Sequence, residues 1–187
     1  MTHTTVAIIG TSGRNDDALS MTQELFASMQ QKAVYIMEND FGLDLKNVAL
    51  VSGGAAWADH VAVELYINNT VSELRLHLPC EWTGSRHLET SGSWKVNPGR
   101  LANQCHVAFS KVLGVDTLHE IEKARWFGAY VNTGYSGFHD RNKAVANVDY
   151  LIAFTWGTGT APETGGTLDT WKKAKNTIKV HVPLSTL

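Results

Sequence analysis

Apolar residues recur along this chain as short unbroken runs separated by stretches with helical spacing. Val6 to Ile9 is such a run and ends in Gly10-Thr11-Ser12-Gly13. A short apolar run closed by turn residues predicts a strand buried on both faces. Asn15, Asp16 and Asp17 are helix-capping types. Leu19, Leu25, Phe26, Met29, Ala33, Ile36 and Met37 then follow at helical spacing, and Gly42 ends the element.

The pattern repeats. Val48 to Val51 runs into Ser52-Gly53-Gly54-Ala55, and Val61, Ala62, Leu65 and Tyr66 continue as a helix. Leu74 to Leu78 alternates with Arg75 and His77, which predicts a less buried strand, closed by Pro79. Residues 80–102 read as irregular. One helix is expected through Leu101, Cys105, Phe109 and Val112, and another from Asp116 or Thr117, with Glu120 placed for a capping box. Residues 132–138 read as a loop, His139–Val148 as a helix and Tyr150–Phe154 as a strand. Gly157–Gly166 reads as a second glycine-rich loop, Thr167–Lys175 as a helix and Ile178–Val182 as a last strand. Strands alternating with helices imply right-handed crossovers. The expected fold is α/β, one Rossmann-like three-layer domain over residues 1–187 with a mainly parallel sheet of about five strands.

Composition narrows the picture. The chain has 187 residues, 43% hydrophobic and 18% charged, which is ordinary for a globular domain. A net charge of −2 argues against a broad basic surface for nucleic acid. The two cysteines, Cys80 and Cys105, form no CxxC pair and fit a reducing, cytoplasmic setting. No basic segment followed by an apolar run stands at the N-terminus, and no run of about 18 apolar residues occurs, so neither a signal peptide nor a membrane partner is expected. The eight histidines are scattered without HExxH spacing, so no metal site is expected. Cys80 reads as an inert thiol.

Candidate chemistry lies where apolar runs open into glycines. In open α/β sheets, ligands sit outside the carboxyl ends of the strands, where glycine admits a phosphate and a helix N-terminus offers N–H donors. Three loops qualify, after Ile9, Val51 and Phe154. In the first, Gly10, Thr11, Ser12 and Gly13 form the loop and Arg14 adds charge, though neither Walker A nor GxGxxG is matched. In the second, Ser52, Gly53 and Gly54 precede Asp59, which suits either a helix dipole or a ribose hydroxyl. Arg141 and Asn142 stand at the start of a helix near the sheet edge, suited to an anion and a polar group. In the third loop, Gly165, Gly166 and Thr167 precede a helix.

The order Ser52-Gly53-Gly54-Ala55 with Asp59, then Arg141-Asn142, then Val148–Phe154, then Gly165-Gly166-Thr167 resembles the SLOG superfamily. That group takes in the cytokinin-activating phosphoribohydrolases, once called lysine decarboxylase-like, and the DNA-processing protein A of bacterial transformation. The resemblance covers residues 6–79 and 137–182. It implies a Rossmann-like domain that binds a nucleotide or another phosphorylated small molecule, with no further cofactor. In the phosphoribohydrolases an arginine and a glutamate serve cleavage of the N-glycosidic bond. Arg141 matches the arginine, whereas the glutamate position falls on Thr170, leaving Glu163 or Asp169 as the carboxylates that would act. The Arg141-Asn142 pair also matches the DNA-processing protein, so a single-stranded nucleic-acid module is an alternative, as is a non-catalytic nucleotide sensor. Lys172, Lys173, Lys175 and Lys179 read as a solvated helix face. Pairing of helices across a two-fold would make a homodimer.

Residues 80–136 read as an insertion carrying Trp82, Arg86, His87, Trp94, Asn97, Arg100, Asn103, His106 and Phe109. Aromatic groups can stack a base, so this segment is expected to act as a lid that gives specificity, dispensable for folding over residues 84–100. His106 beside Phe109 also fits a packed core position.

Overall fold

The structure, a computed structural model, describes residues 3–93 and 95–187. Trp94 therefore lies outside the described residues. Six strands form one all-parallel sheet: β1 (Thr4–Gly10), β2 (Val48–Ser52), β3 (Glu73–His77), β4 (Tyr130–Asn132), β5 (Tyr150–Thr155) and β6 (Ile178–Pro183). Their order across the sheet is β4-β3-β2-β1-β5-β6. The expected α/β, Rossmann-like layering is thus present, with six strands in place of about five. The additional strand, β4, has three residues and an exposed Tyr130, so no apolar run marks it. It pairs with β3 through Arg75↔Tyr130, Leu76↔Val131 and His77↔Asn132.

Alternation along the strands divides the interior in two. Val6 and Ile8 of β1, Val48 and Leu50 of β2, and Ile152 and Phe154 of β5 face one side. There they meet α1 (Gln23–Tyr35), α2 (His60–Ile67), α3 (Pro98–Leu113) and α4 (Thr117–Trp126). Ala7 and Ile9, Val51, and Leu151 and Ala153 face the other side, under Val145 and Ala146 at the end of α5 (Phe138–Val145) and Ala174 just past α6 (Gly165–Lys173). Strands buried on both faces need continuous apolar sequence, which is why β1, β2 and β5 read clearly.

Two expectations at the N-terminal side change. The first long helix starts at Gln23, with Thr22 as its cap accepting the Leu25 N–H. Asn15–Ser20 instead forms a separate 3₁₀ segment, and Leu19 is 88% exposed. Leu19 matched the helical spacing but lies before the helix, in a loop that turns through Gly13 and Asn15, both at positive φ. At its far end α1 widens into a π-helical turn, Ile36–Asp40, where the Phe41 N–H donates to the Ile36 carbonyl.

The segment between β3 and β4 carries α3 and α4, the helical layer over that end of the sheet. Phe109 is fully buried and packs on Trp57 and Phe26, with ring centroids 4.3 Å and 5.0 Å apart. The irregular stretch before α3 is tied down as well. Asn103 grips the backbone of buried His87 from both sides, at 3.0 Å each, and Asn97 caps α3 through the Arg100 N–H. A Cβ on Gly99 would lie 2.0 Å from the Leu88 carbonyl oxygen. Among the described residues of 84–100 are thus the cap and first turn of α3, so deleting this stretch is expected to cost stability rather than leave the fold untouched.

Candidate functional site

The chain runs outward from β1 through β2, β3 and β4, then crosses back to β5 on the other side of β1. Strand order reverses between β1 and β5, and their carboxyl ends open into a cleft of about 720 Å³. This is the switch point at which α/β sheets hold ligands, and the volume lies within the range of small-molecule sites. Gly10, Thr11, Ser12 and Arg14 line one wall. Glu163, Gly165, Gly166, Thr167 and Thr170 line a second, Leu101, Ala102 and Cys105 of α3 a third, and Asp59, Arg141 and Asn142 contribute between them.

The first loop holds its own shape. Thr11 accepts the Gly13 N–H at 3.1 Å and donates to Asp17 at 2.5 Å, so its hydroxyl is engaged within the loop. Its backbone N–H donates to the Phe154 carbonyl of β5, and its carbonyl accepts the Ala58 N–H. Gly10 packs so closely on β5 that a Cβ would lie 2.0 Å from the Phe154 oxygen. Gly13 does not line the cleft. It rests on the Trp57 indole, where a Cβ would come within 2.4 Å of Nε1. Trp57 itself is buried with φ of 62°, a costly conformation for a bulky residue. It joins the first two glycine loops.

Ser52, Gly53 and Gly54 do not reach the cleft either. They lie behind it and hold the charged pair Asp59–Arg141. Ser52 donates to the Asp59 carbonyl at 2.8 Å and accepts the Gly54 N–H. The Asp59 carboxylate accepts the Gly53 N–H at 3.0 Å and faces Arg141 Nη1 at 3.4 Å. Gly53 is required for this pair, because a Cβ would stand 1.1 Å from Nη1. Burial pushes the Asp59 carboxyl up, opposed by the Arg141 guanidinium and the backbone N–H groups of Ala55 and Gly53. Asp59 is therefore committed to the protein. Arg141 is 7% exposed, and its Nε is buried without a partner at the edge of the cleft. Its guanidinium also stacks over Phe138 at 5.8 Å.

Asp169 lies outside the cleft lining. Its carboxylate is ion-paired with Lys173, accepts from Asn142 Nδ2 at 3.0 Å and faces His139 at 3.4 Å. The Lys173, Asn142 and His139 contacts hold it below the usual carboxylate range against the effect of burial. Asn142 thus clasps α5 to α6. The position one residue on, Thr170, turns its hydroxyl to the Gly166 carbonyl at 3.0 Å. Glu163, by contrast, is exposed and lies against Gly157 at the cleft wall.

The start of α6 is the most open part of the site. Thr164 is the N-cap but makes no side-chain cap bond, and nothing lies within 4 Å of a Cβ placed on Gly165. Thr167 donates to the Gly10 carbonyl at 3.0 Å, joining this loop to the first. The first N–H groups of a helix have no intrahelical partners, and the dipole places partial positive charge there. What converges on the cleft is an open helix N-terminus, the buried Arg141 cation and a carboxylate at Glu163.

The histidines predicted to mark a lid instead form a buried layer. His106 Nε2 meets the Gly54 carbonyl at 3.0 Å and Nδ1 the Thr117 hydroxyl at 2.9 Å. Burial pushes both His106 and His87 down to about 3. Trp82 donates from Nε1 to Glu122 at 2.7 Å. His106 bonds in opposite directions to the second glycine loop and to α4, a link with no sequence signal beyond its place beside Phe109.

Fold and site together define an α/β protein with a Rossmann-like parallel sheet and a glycine-lined cleft at its switch point. The chain is similar to a protein of Acanthamoeba polyphaga mimivirus named "Uncharacterized protein R261", with 33% identity over 182 residues that cover 96% of each chain. It belongs to the family of that viral protein. No protein-family model matches the chain, and no solved structure matches it. No helix among the described residues is long and apolar enough to cross a membrane.

Proposed function

We propose that the cleft binds a nucleotide or a closely related phosphorylated small molecule, with the phosphate at the start of α6. The observation that carries this reading is the uncapped N-terminus at Gly165-Gly166-Thr167, which opens into the cleft at the β1/β5 switch point. Arg141 supports it by holding positive charge at the edge of the cleft. The order of glycine loops, and their resemblance to the SLOG superfamily, points to the same ligand class. Glu163 is the carboxylate placed to assist cleavage or transfer at an N-glycosidic bond, by stabilising an oxocarbenium-like transition state. Asp169, held by Lys173 and Asn142, lies outside the cleft lining and is the less suited carboxylate.

A non-catalytic nucleotide sensor is the second reading. It is favoured by Thr170, whose hydroxyl is bonded to Gly166 where the phosphoribohydrolases carry their glutamate. Single-stranded nucleic acid is disfavoured by the net charge of −2.

The test is a thermal-shift panel of nucleoside monophosphates, diphosphates, dinucleotides and short oligonucleotides on wild type and Gly166→Asp. A Cβ at Gly166 meets nothing closer than 3.8 Å, and a carboxylate in the first turn suits the helix, so this variant keeps the fold while repelling a phosphate. One mononucleotide should raise the melting temperature of the wild type and leave Gly166→Asp unmoved. Release of free base by the wild type but not by Glu163→Gln establishes the hydrolase, and binding without turnover establishes the sensor. No shift with any nucleotide removes the reading.

A further inference from the structure

One residue beyond Asp59, α2 and α4 bring three ligating side chains together. His60 and Glu64 stand one turn apart on α2, a spacing that puts both on one face. Glu120 reaches them from the first turn of α4. One donor atom from each residue lies within 4.8 Å of the other two. His60 Nε2 is 2.9 Å from Glu120 Oε2, and the Glu64 and Glu120 carboxyls are in hydrogen-bond contact.

Opposite charge reaches this cluster from a distance, from Lys123 and His119 acting on Glu120. The His60 side chain is 0% exposed and that of Glu120 18%. Two carboxyls in contact repel each other unless a proton or a cation lies between them. Lys123 acts on Glu120, but its ammonium sits over the Phe127 ring, 5.7 Å from the centroid, and forms no ion pair with it. His60 Nδ1 is buried with no hydrogen-bond partner among the described residues, so the hydrogen bond of this wholly buried imidazole, from Nε2 to Glu120, points into the carboxylate pair. Asn68 donates to Glu64 Oε2 at 3.2 Å and orients that carboxylate, as an outer partner orients a ligand.

We propose that His60, Glu64 and Glu120 bind a divalent transition-metal ion, through Nε2 and the two carboxylates, and so pin α2 to α4 behind the cleft. One imidazole with two carboxylates and no thiolate suits zinc, manganese or ferrous ion. Donors at zinc stand roughly 3.3 Å apart, so these side chains close on the ion by small rotations. Three protein ligands leave coordination positions for water. The sequence signal was the i, i+4 pair His60 and Glu64, which no HExxH pattern captures, and the third ligand comes from a helix 56 residues on.

The experiment uses the untagged, chelator-stripped protein titrated calorimetrically with Zn²⁺ and Mn²⁺, with Mg²⁺ as a hard-cation control. Zinc should bind at one equivalent and raise the melting temperature. The neutral, nearly isosteric double variant Glu64→Gln/Glu120→Gln should lose at least roughly 100-fold in affinity. Replacing His3, which pairs with Glu73, by Gln should change nothing. Absence of zinc binding, undiminished binding by the double variant, or loss in His3→Gln overturns the site. Should the double variant not fold, Co²⁺ titration of the wild type decides. A visible absorption band saturating at one equivalent supports the cluster, and its absence overturns it.

Discussion

At the scale of single residues, the cleft rests on contacts too close for any side chain but the one present. Gly53 faces Arg141 Nη1 at a distance no Cβ survives. Gly53→Ala is expected to displace the guanidinium and cost about 1–3 kcal/mol in urea unfolding. Gly134→Ala, whose Cβ meets Asn132 Oδ1 at 3.5 Å, should leave the midpoint unchanged. Asp59→Ala leaves Arg141 buried without its counter-charge and should cost about 3–5 kcal/mol. The asymmetry between these substitutions, read from denaturant midpoints, separates the buried pair from ordinary loop packing.

At the scale of elements, helix ends and buried histidines set stability. The Asp116 carboxylate accepts the N–H groups of Leu118 and His119 and caps α4. Asp116→Ala should cost about 1 kcal/mol, and Asp116→Ser should recover much of it. His106 links α3 to the second glycine loop and, together with Ser110, to Thr117 at the start of α4. His106 and His87 have an ordinary value of 6.5 in the unfolded chain and are pushed down to about 3 by burial in the folded one. The unfolded chain therefore binds more protons below pH 6.5. The stability that these two neutral rings contribute is complete above pH 6.5 and is lost as pH falls toward 3. Each should steepen the acid loss by about 1.4 kcal/mol per pH unit in that window. Glu64, pushed up to about 7, and His60 and His77, pushed down to about 4, act in the same window, so urea midpoints at pH 7.5, 6 and 5 are compared between wild type and His106→Gln, and equal slopes in the two would contradict the burial of the His106 ring.

For the whole molecule, the sheet places three loops on one edge and fills both of its faces. The larger interior cluster spans α1 to α4 and the smaller one the layer of α5 and α6, joined through strands buried on both sides. Unfolding should therefore be a single cooperative transition, with fluorescence and far-ultraviolet dichroism melting together. A nucleotide at 100 times its dissociation constant should raise that stability by about 2.7 kcal/mol, a shift of about 5–10 °C. Separate transitions for the two helical layers would show that the β1–β5 junction does not couple them.

The sequence alone determined the fold class and the positions of five strands: β1, β2 and β5 because strands buried on both faces must be written as unbroken apolar runs, β3 through its alternation and β6 through a short apolar-rich run. It also placed the glycine loops, since a chain turning sharply from strand to helix needs residues without Cβ. It could not show β4, whose three residues carry no pattern and which exists only because β3 offers an edge. Nor could it tell which loop residues face a ligand. Ser52, Gly53 and Gly54 lie behind the cleft and cradle the Asp59–Arg141 pair at its edge, while Asp169 lies outside the lining, held by Lys173 and Asn142. The Gly54 partner of His106 and the Glu120 partner of the His60–Glu64 pair were hidden, as they lie 52 and 56 residues away in sequence. Local pattern records the period and burial of a segment. Which polar groups meet is decided by long-range packing, since a buried charge or imidazole must find its partner wherever the fold brings one.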